Sequence, residues 1–100
     1  MADLNDKNLH GETLAAQALG RIDKESHALV PPIHITTTYE RDADNRYPNG
    51  LTYARPHNPT TRHAEDVIAT LEGGIDAMLF ASGMAAAVAV FDALVPGDHV

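Results

Sequence analysis

Two short stretches of this 100-residue sequence combine residue types that could bind an anion. The first, Ser82-Gly83-Met84, lies between an apolar run and an Ala-rich run. If the Ala-rich run is a helix, its first backbone N–H groups have no partner inside the helix, and they carry the positive end of its dipole. Gly83 has no Cβ, so a phosphate could approach this backbone closely. An ordinary strand-to-helix turn in an α/β core, without a ligand, fits the same residues.

The second stretch is Tyr53-Ala54-Arg55, which follows the strong turn signal Tyr47-Pro48-Asn49-Gly50. Pro56 and Pro59 come directly after it and keep this part of the chain stiff and irregular. A stiff loop can hold an aromatic ring and a guanidinium group in fixed places, as an anion site requires. Composition alone favours a surface loop with one exposed arginine, so both interpretations stay open.

The elements around the first stretch predict an α/β layer. Residues 77–81 are apolar and short, which is typical of a buried strand, and a helix with mostly covered sides is expected from Met84 onward. An earlier amphipathic helix should begin at Asn58-Pro59 and end at Gly73-Gly74. Residues 97–100 resemble a turn entering another strand, so we expect the sequence to be a piece of a longer chain with a parallel sheet. Apolar residues follow helical spacing at Ala64, Val67, Ile68 and Leu71.

The first half of the sequence predicts less regular structure. Residues 1–11 are polar without periodicity and are expected to form an arm. Thr13 is a candidate N-cap for a short helix over Leu14–Leu19, which Gly20 would end. Ile33–Tyr39 is rich in β-branched residues, which indicates an extended segment. Because no sheet partner is evident, this segment should be laid over another surface.

Composition excludes several function classes. A net charge of −7 with seven Lys and Arg residues argues against nucleic acid and against an anionic membrane surface. The sequence has no Cys and no apolar run long enough to span a membrane, and its six His residues lack metal-ligand spacing. Because of this histidine spacing, no bound metal is expected. The first residues resemble neither a secretory signal nor a transit peptide, so a cytoplasmic protein is expected.

Three stretches of the sequence together resemble one enzyme family. They are Pro31–Tyr39, Tyr53–Thr60 and Leu71–Val100, the last with its Leu-Glu-Gly-Gly, Ala-Ser-Gly-Met-Ala-Ala and Pro-Gly-Asp-His-Val motifs. The family is that of the pyridoxal-phosphate (PLP) enzymes of cysteine and methionine metabolism. It includes cystathionine γ-synthase, cystathionine γ- and β-lyases, methionine γ-lyase and O-acyl-homoserine sulfhydrylases. The resemblance covers residues from about 12 to 100, with motifs in the family's order and approximate spacing.

The resemblance implies a fold and a cofactor site. It implies the N-terminal part of a fold-type I, aspartate-aminotransferase-like enzyme. Residues 1–58 would be an extended arm with a short helix and a cross-subunit loop, and residues 59–100 would begin the large PLP-binding α/β domain. Gly83 and Met84 would offer backbone N–H groups to the PLP phosphate, and Ser82 would form the turn. Tyr53 and Arg55 would reach the PLP of the neighbouring subunit in a homo-oligomer, a dimer of dimers.

The resemblance also implies what the chain would do. The family's Schiff-base lysine and ring-binding residues come later in the sequence than residue 100, so no catalytic residue is expected here and the chain alone should be inactive. The whole enzyme would catalyse γ-replacement or γ-elimination on a sulfur amino acid or an O-acyl-homoserine; β-elimination is an alternative. Ala54 and Pro56-His57 depart from the family's usual residues, which affects the subfamily more than the cofactor. The alternative from another class is a non-catalytic α/β module that binds a phosphorylated ligand or a partner.

Overall fold

The computed structural model of this protein describes residues 9–100. Three α-helices lie in this part of the chain: α1 (Gly11–Gln17), α2 (Pro59–Glu72) and α3 (Gly83–Asp92). A 3₁₀ turn, Ala18–Gly20, follows α1 directly. None of the helices in the described residues is long and apolar enough to cross a membrane. The expected arm over residues 1–11 lies mostly outside the described residues.

The prediction of a helix over Leu14–Leu19 capped by Thr13 is wrong at both ends. Helix α1 begins at Gly11 because His10 is extended and its carbonyl oxygen accepts the Thr13 amide at 3.0 Å. Thr13 therefore lies in the first turn and caps nothing. The α-helical part ends early because Ala18 adopts a left-handed φ of 44°, and a 3₁₀ turn that ends at Gly20 follows.

The described core lies where the first two helices meet. Leu14 and Leu19 are the buried apolar residues in this part of the chain. They come from α1 and from the 3₁₀ turn, and α1 packs against α2. Arg21, just after the turn, forms an ion pair of 2.7 Å with Asp66 of α2. The N-terminal helix is thus attached to α2 by apolar burial and by a charged contact.

Helix α2 confirms the sequence prediction at both ends. The Asn58 side chain accepts the Thr60 amide at 2.9 Å, and Pro59 occupies the first helical position. Gly73 ends the helix with a left-handed φ of 65°, which a residue without Cβ adopts at little cost. The Tyr47–Gly50 turn is confirmed as well, because the Gly50 amide donates to the Tyr47 carbonyl at 3.0 Å.

The expected strand over residues 77–81 is not paired within residues 9–100. The described residues contain no strand ladder, and their isolated β-bridge joins Thr38 to Tyr53. A strand needs a neighbouring strand to accept its backbone bonds, and none of the described residues lies in that place. The parallel layer of the α/β prediction therefore stays a prediction.

Helix α3 begins one residue earlier than predicted, at Gly83. Its sides are exposed, contrary to the expectation that they would be covered: Met84 is 75% accessible, Val88 48% and Phe91 56%. No described element lies over these side chains. An apolar helix in water loses the burial that stabilises most helices in proteins.

Candidate functional site

The first stretch predicted to bind an anion is a capped helix start in the structure. Ser82 is extended, with φ −153° and ψ 154°, and its Oγ accepts the Ala85 amide at 3.2 Å. Its carbonyl oxygen accepts the Ala86 amide, also at 3.2 Å. Within residues 9–100, the amides of Gly83 and Met84 have no acceptor. We call residues 82–84 the cradle: two free N–H groups at the positive end of a ten-residue helix.

Gly83 is not required by the chain's own geometry. Its φ lies outside the left-handed region, and a Cβ built on it would meet no other atom within 4 Å. Alanine is the better helix former, by about 1 kcal/mol. Neither backbone conformation nor packing among the described residues explains a glycine here. A group that approaches the free amides from outside would explain it, so the cradle fits a phosphate.

The second predicted site forms as a short closed loop. The His57 amide donates to the Tyr53 carbonyl at 3.1 Å, which folds residues 53–57 into a single turn. The Arg55 guanidinium lies over the Tyr53 ring, with Cζ 5.6 Å from the ring centroid. Both residues are exposed. Arg55 has no carboxylate partner within the described residues. We call Tyr53 and Arg55 the prong.

The extended segment 34–39 holds the prong from one side. The Ala54 amide donates to the Thr37 carbonyl at 2.9 Å, next to the Thr38–Tyr53 bridge. The Tyr39 hydroxyl donates to the His57 carbonyl at 2.8 Å. At the start of the segment, the His34 amide donates to the Thr60 hydroxyl, and the His34 carbonyl oxygen accepts from the Asn58 side-chain amide. Hydrogen bonds hold this segment along the loop that carries the prong, while Ile33 and Ile35 remain exposed. That the segment covers a further surface stays a prediction.

The prong and the cradle do not meet within this chain. Arg55 lines a groove of about 710 Å³ together with Met78 and Leu79, but no cradle residue lines it. No hydrogen bond or ion pair joins Arg55 to the cradle among the described residues. Among the described residues, Arg55 and the cradle therefore share neither a groove nor a hydrogen bond.

A charged network on α2 lies next to the segment that leads into the cradle. Arg62 contacts Asp76 at 2.8 Å, Asp66 at 3.0 Å and Glu65 at 3.5 Å. The hydrogen bond from Arg62, and then that from the Ala77 amide, lower the pKa of Asp76, and the same bond to Asp76 raises the pKa of Arg62. These side chains connect α2 to residues 76–79.

Sequence reasoning did not identify this network or the role of Tyr39. Arg62 and Asp76, like Glu65 and Leu79, lie 14 residues apart in the sequence, so no local pattern points to these contacts. One signal was available: Arg62, Glu65 and Asp66 share one helical face at i, i+3 and i+4 spacing. That spacing predicts that Arg62 contacts the two carboxylates, but it does not predict what else the carboxylates bind.

Comparison with known proteins identifies the family. The sequence model of the family described as "Cys/Met metabolism PLP-dependent enzyme" matches residues 12–100. The chain belongs to this family. Its expected cofactor is therefore that of the family, PLP, and its expected fold is the N-terminal region of fold type I.

Curated relatives agree with the family assignment. Cystathionine β-lyase of Coxiella burnetii is 36% identical over 96% of this chain. Cystathionine γ-lyase of Bos taurus is 39% identical over 75% of it, and the cystathionine γ-synthase/O-acetylhomoserine (thiol)-lyase of Bacillus subtilis 35% identical over 91%. The matched regions make up 24%, 18% and 24% of these relatives. The chain thus spans about a quarter or less of the length of the relatives it matches.

Proposed function

We propose that this chain is the N-terminal part of a PLP-dependent trans-sulfuration enzyme and supplies two grips on the cofactor phosphate. Residues 59–100 begin the PLP-binding α/β domain, in which 77–81 is a strand of a parallel sheet. Residues 1–58 form the arm that carries the prong. The observation that carries the proposal is the pair of free amides at Gly83 and Met84, beside a glycine that the chain's own packing does not require.

The residues divide the binding between them. The amides of Gly83 and Met84 donate to phosphate oxygens, and Ser82 orients them by capping the helix. Arg55 adds a guanidinium, which pairs with phosphate by two parallel hydrogen bonds, and Tyr53 adds a hydroxyl donor. Bound PLP supplies an electron sink for reactions of amino acids. Gly83, Met84, Arg55 and Tyr53 hold its phosphate, Ser82 orients the two amides, and none of the five takes part in proton transfer.

The prong serves the cofactor of a neighbouring subunit. Its separation from the cradle within one chain supports this arrangement, and so does its firm attachment to the arm. The proposed assembly is a cytoplasmic homo-oligomer, a dimer of dimers. Each PLP then has a cradle from one subunit and a prong from the partner.

Mixed dimers of the whole enzyme test this arrangement. Arg55→Gln subunits and Gly83→Val subunits should each bind PLP poorly. In a hybrid dimer, one site combines the intact cradle of the first subunit with the intact prong of the second. After unfolding and refolding as an equal mixture, about a quarter of the sites should recover PLP binding, because half of the dimers are hybrids with one intact site.

No recovery in the mixture would show that prong and cradle act within one subunit. Arg46→Gln is the matched control, since Arg46 lies on the preceding loop and, among the described residues, its guanidinium has only a 3.9 Å contact to Asp44. Mixtures of Arg46→Gln and Gly83→Val subunits should keep every prong intact. Their PLP binding should follow the fraction of intact cradles.

Analysis of the products formed by the whole enzyme would identify its reaction. We propose a sulfur amino acid or an O-acyl-homoserine as substrate, with replacement or elimination at the γ-carbon. With water, γ-elimination from cystathionine gives cysteine, 2-oxobutyrate and ammonia, whereas β-elimination gives homocysteine, pyruvate and ammonia. Detection of the keto acid distinguishes these reactions, and thioether formation from O-acetylhomoserine and cysteine indicates replacement. Absence of all three would contradict the proposed enzyme class.

A further inference from the structure

Residues 76–79 return along α2 after Gly73 and end three positions before Ser82. They contain neither helix nor turn, so their backbone direction depends on what their polar groups bind. Two alternate amides bind carboxylates: Ala77 donates to Asp76 at 2.9 Å, and Leu79 donates to Glu65 at 2.9 Å. Alternate amides of an extended chain lie on the same edge. The amides of Ala77 and Leu79, on one edge of the segment, are therefore already bonded to acidic side chains.

Glu65 joins the backbone of this segment to a rigid element, whereas Arg62 contacts the side chain of Asp76. It lies in the middle of α2, which is capped at both ends. Its side chain is only 13% exposed, and its second oxygen lies 3.5 Å from Arg62. A largely buried carboxylate with a backbone donor on one oxygen and a cation near the other is held in one orientation. Leu79 comes three positions before Ser82. Its amide is therefore the backbone group bonded to α2 that lies nearest the cradle in the sequence.

We infer that Glu65 is a positioning residue for the PLP phosphate: by accepting the Leu79 amide, it fixes the direction in which the chain enters the cradle. The inference rests on the proposed function of residues 82–84. Free amides bind a phosphate well only when they are already oriented. Glu65 does not touch the phosphate and acts through the backbone of residues 79–82.

Two substitutions distinguish the effect of the length of the Glu65 side chain from the effect of its charge. Glu65→Gln keeps the chain length and an acceptor oxygen but loses the charge beside Arg62. Glu65→Asp keeps the charge but is one methylene too short for the Leu79 amide. We expect Glu65→Asp to weaken PLP binding by about 5- to 10-fold and Glu65→Gln to restore it to near the wild-type value, because the hydrogen bond and not the ion pair carries the effect.

The measurement is the equilibrium Kd of the whole enzyme for PLP and for pyridoxal, which lacks the phosphate. A positioning role in the cradle changes the ratio of these two Kd values, whereas general loosening of the fold weakens both ligands alike. Glu72→Gln is the matched control: it lies on the same helix, is exposed, and has no hydrogen bond or ion pair among the described residues.

The results distinguish this inference from the proposed function. If Glu65→Gln is as damaging as Glu65→Asp, or if both ligands weaken equally, the positioning role is wrong. If Gly83→Ala weakens PLP binding while Glu65→Asp leaves it unchanged, the cradle stands and the positioning role is wrong. If neither Gly83→Ala nor Glu65→Asp alters PLP binding, the cradle itself is wrong.

Discussion

The prong and the cradle are built in opposite ways. The prong consists of two side chains on a loop, and hydrogen bonds from a distant extended segment fix that loop. The cradle consists of backbone amides: the Ser82 cap orients them locally, and the bond from Leu79 to Glu65 fixes only the direction in which the chain enters. A side chain has rotatable bonds and needs a support to hold it in place, whereas amides at a helix start are oriented by the helix itself.

The two regions also differ in what covers them. The prong lies on a part of the chain that packs on its own residues, through α1, α2 and segment 34–39. The cradle opens a helix whose apolar side chains, such as Phe91, remain exposed in the described residues. The prong should therefore be sensitive to substitutions in its support, and the cradle to changes in its own backbone.

The largest expected effect is that of Gly83→Ala in the whole enzyme. The added Cβ meets no described atom and improves helix propensity, so the protein should fold normally. A phosphate that requires close approach to the amides should lose contact, and we expect PLP to bind about 10- to 100-fold more weakly, since charge-assisted hydrogen bonds contribute about 1.5–3 kcal/mol. Equilibrium titration with PLP measures this change.

Gly11→Ala is the control for that experiment. Gly11 is also the first residue of a helix without a left-handed φ, and an added Cβ would lie 3.8 Å from Leu71, an ordinary contact. This variant should bind PLP like the wild type. Equal PLP affinity in Gly83→Ala and Gly11→Ala would mean that the glycine of the cradle does not admit a phosphate.

The same contrast explains how much the sequence could predict. Asn58-Pro59 and Ser82-Gly83 are local signals, because a cap and the amides it orients lie within a few residues. Helix α2 and the start of α3 were accordingly predicted within one residue. The cap was predicted at Thr13 because threonine is a preferred N-cap residue. The residue before the helix is instead the extended His10, whose side chain forms no cap hydrogen bond.

Contacts between distant residues could not be predicted in the same way. Tyr39 binds His57 across 18 positions, and His34 binds Thr60 across 26. Hydrogen bonds of this kind follow from the folded path of the chain and leave no periodic pattern in the sequence. The residues of the prong were candidates from the turn and the prolines around them, and the family resemblance gave them a role, whereas their support became visible only in the structure.

A smaller effect is expected from Tyr39→Phe, which removes only the hydroxyl that binds the His57 carbonyl. A neutral hydrogen bond contributes about 1 kcal/mol, so PLP binding should weaken by about 3- to 5-fold through loss of prong order. In an Arg55→Gln background the same substitution should have almost no further effect, because coupled residues are not additive. Fully additive losses would show that Tyr39 does not act through Arg55.

Tyr47→Phe is the matched control for this cycle. Tyr47 is stacked under Arg41 at 4.8 Å, and its hydroxyl has no hydrogen-bond partner in the described part of the chain. Loss of that hydroxyl should leave PLP affinity unchanged in both backgrounds. The amides of Ala54 and His57 should exchange faster with solvent in Tyr39→Phe but not in Tyr47→Phe, as expected for local loosening.

The smallest expected effect concerns pH and the segment that leads to the cradle. Arg62 and the Ala77 amide hold the pKa of Asp76 below its ordinary value of 3.8. A carboxyl group with a lowered folded-state pKa stabilises the fold above its unfolded pKa, and this contribution is lost as the pH falls through the folded value. The urea midpoint of the wild type should therefore exceed that of Asp76→Asn slightly at about pH 6, and the difference should shrink as the pH falls below 3.8. Asp92→Asn, without an ion pair in residues 9–100, should follow the wild type throughout. A constant difference between wild type and Asp76→Asn across this range would mean that the ionised carboxylate does not fix residues 76–79, and that the approach to the cradle depends on the hydrogen bond to Glu65 alone.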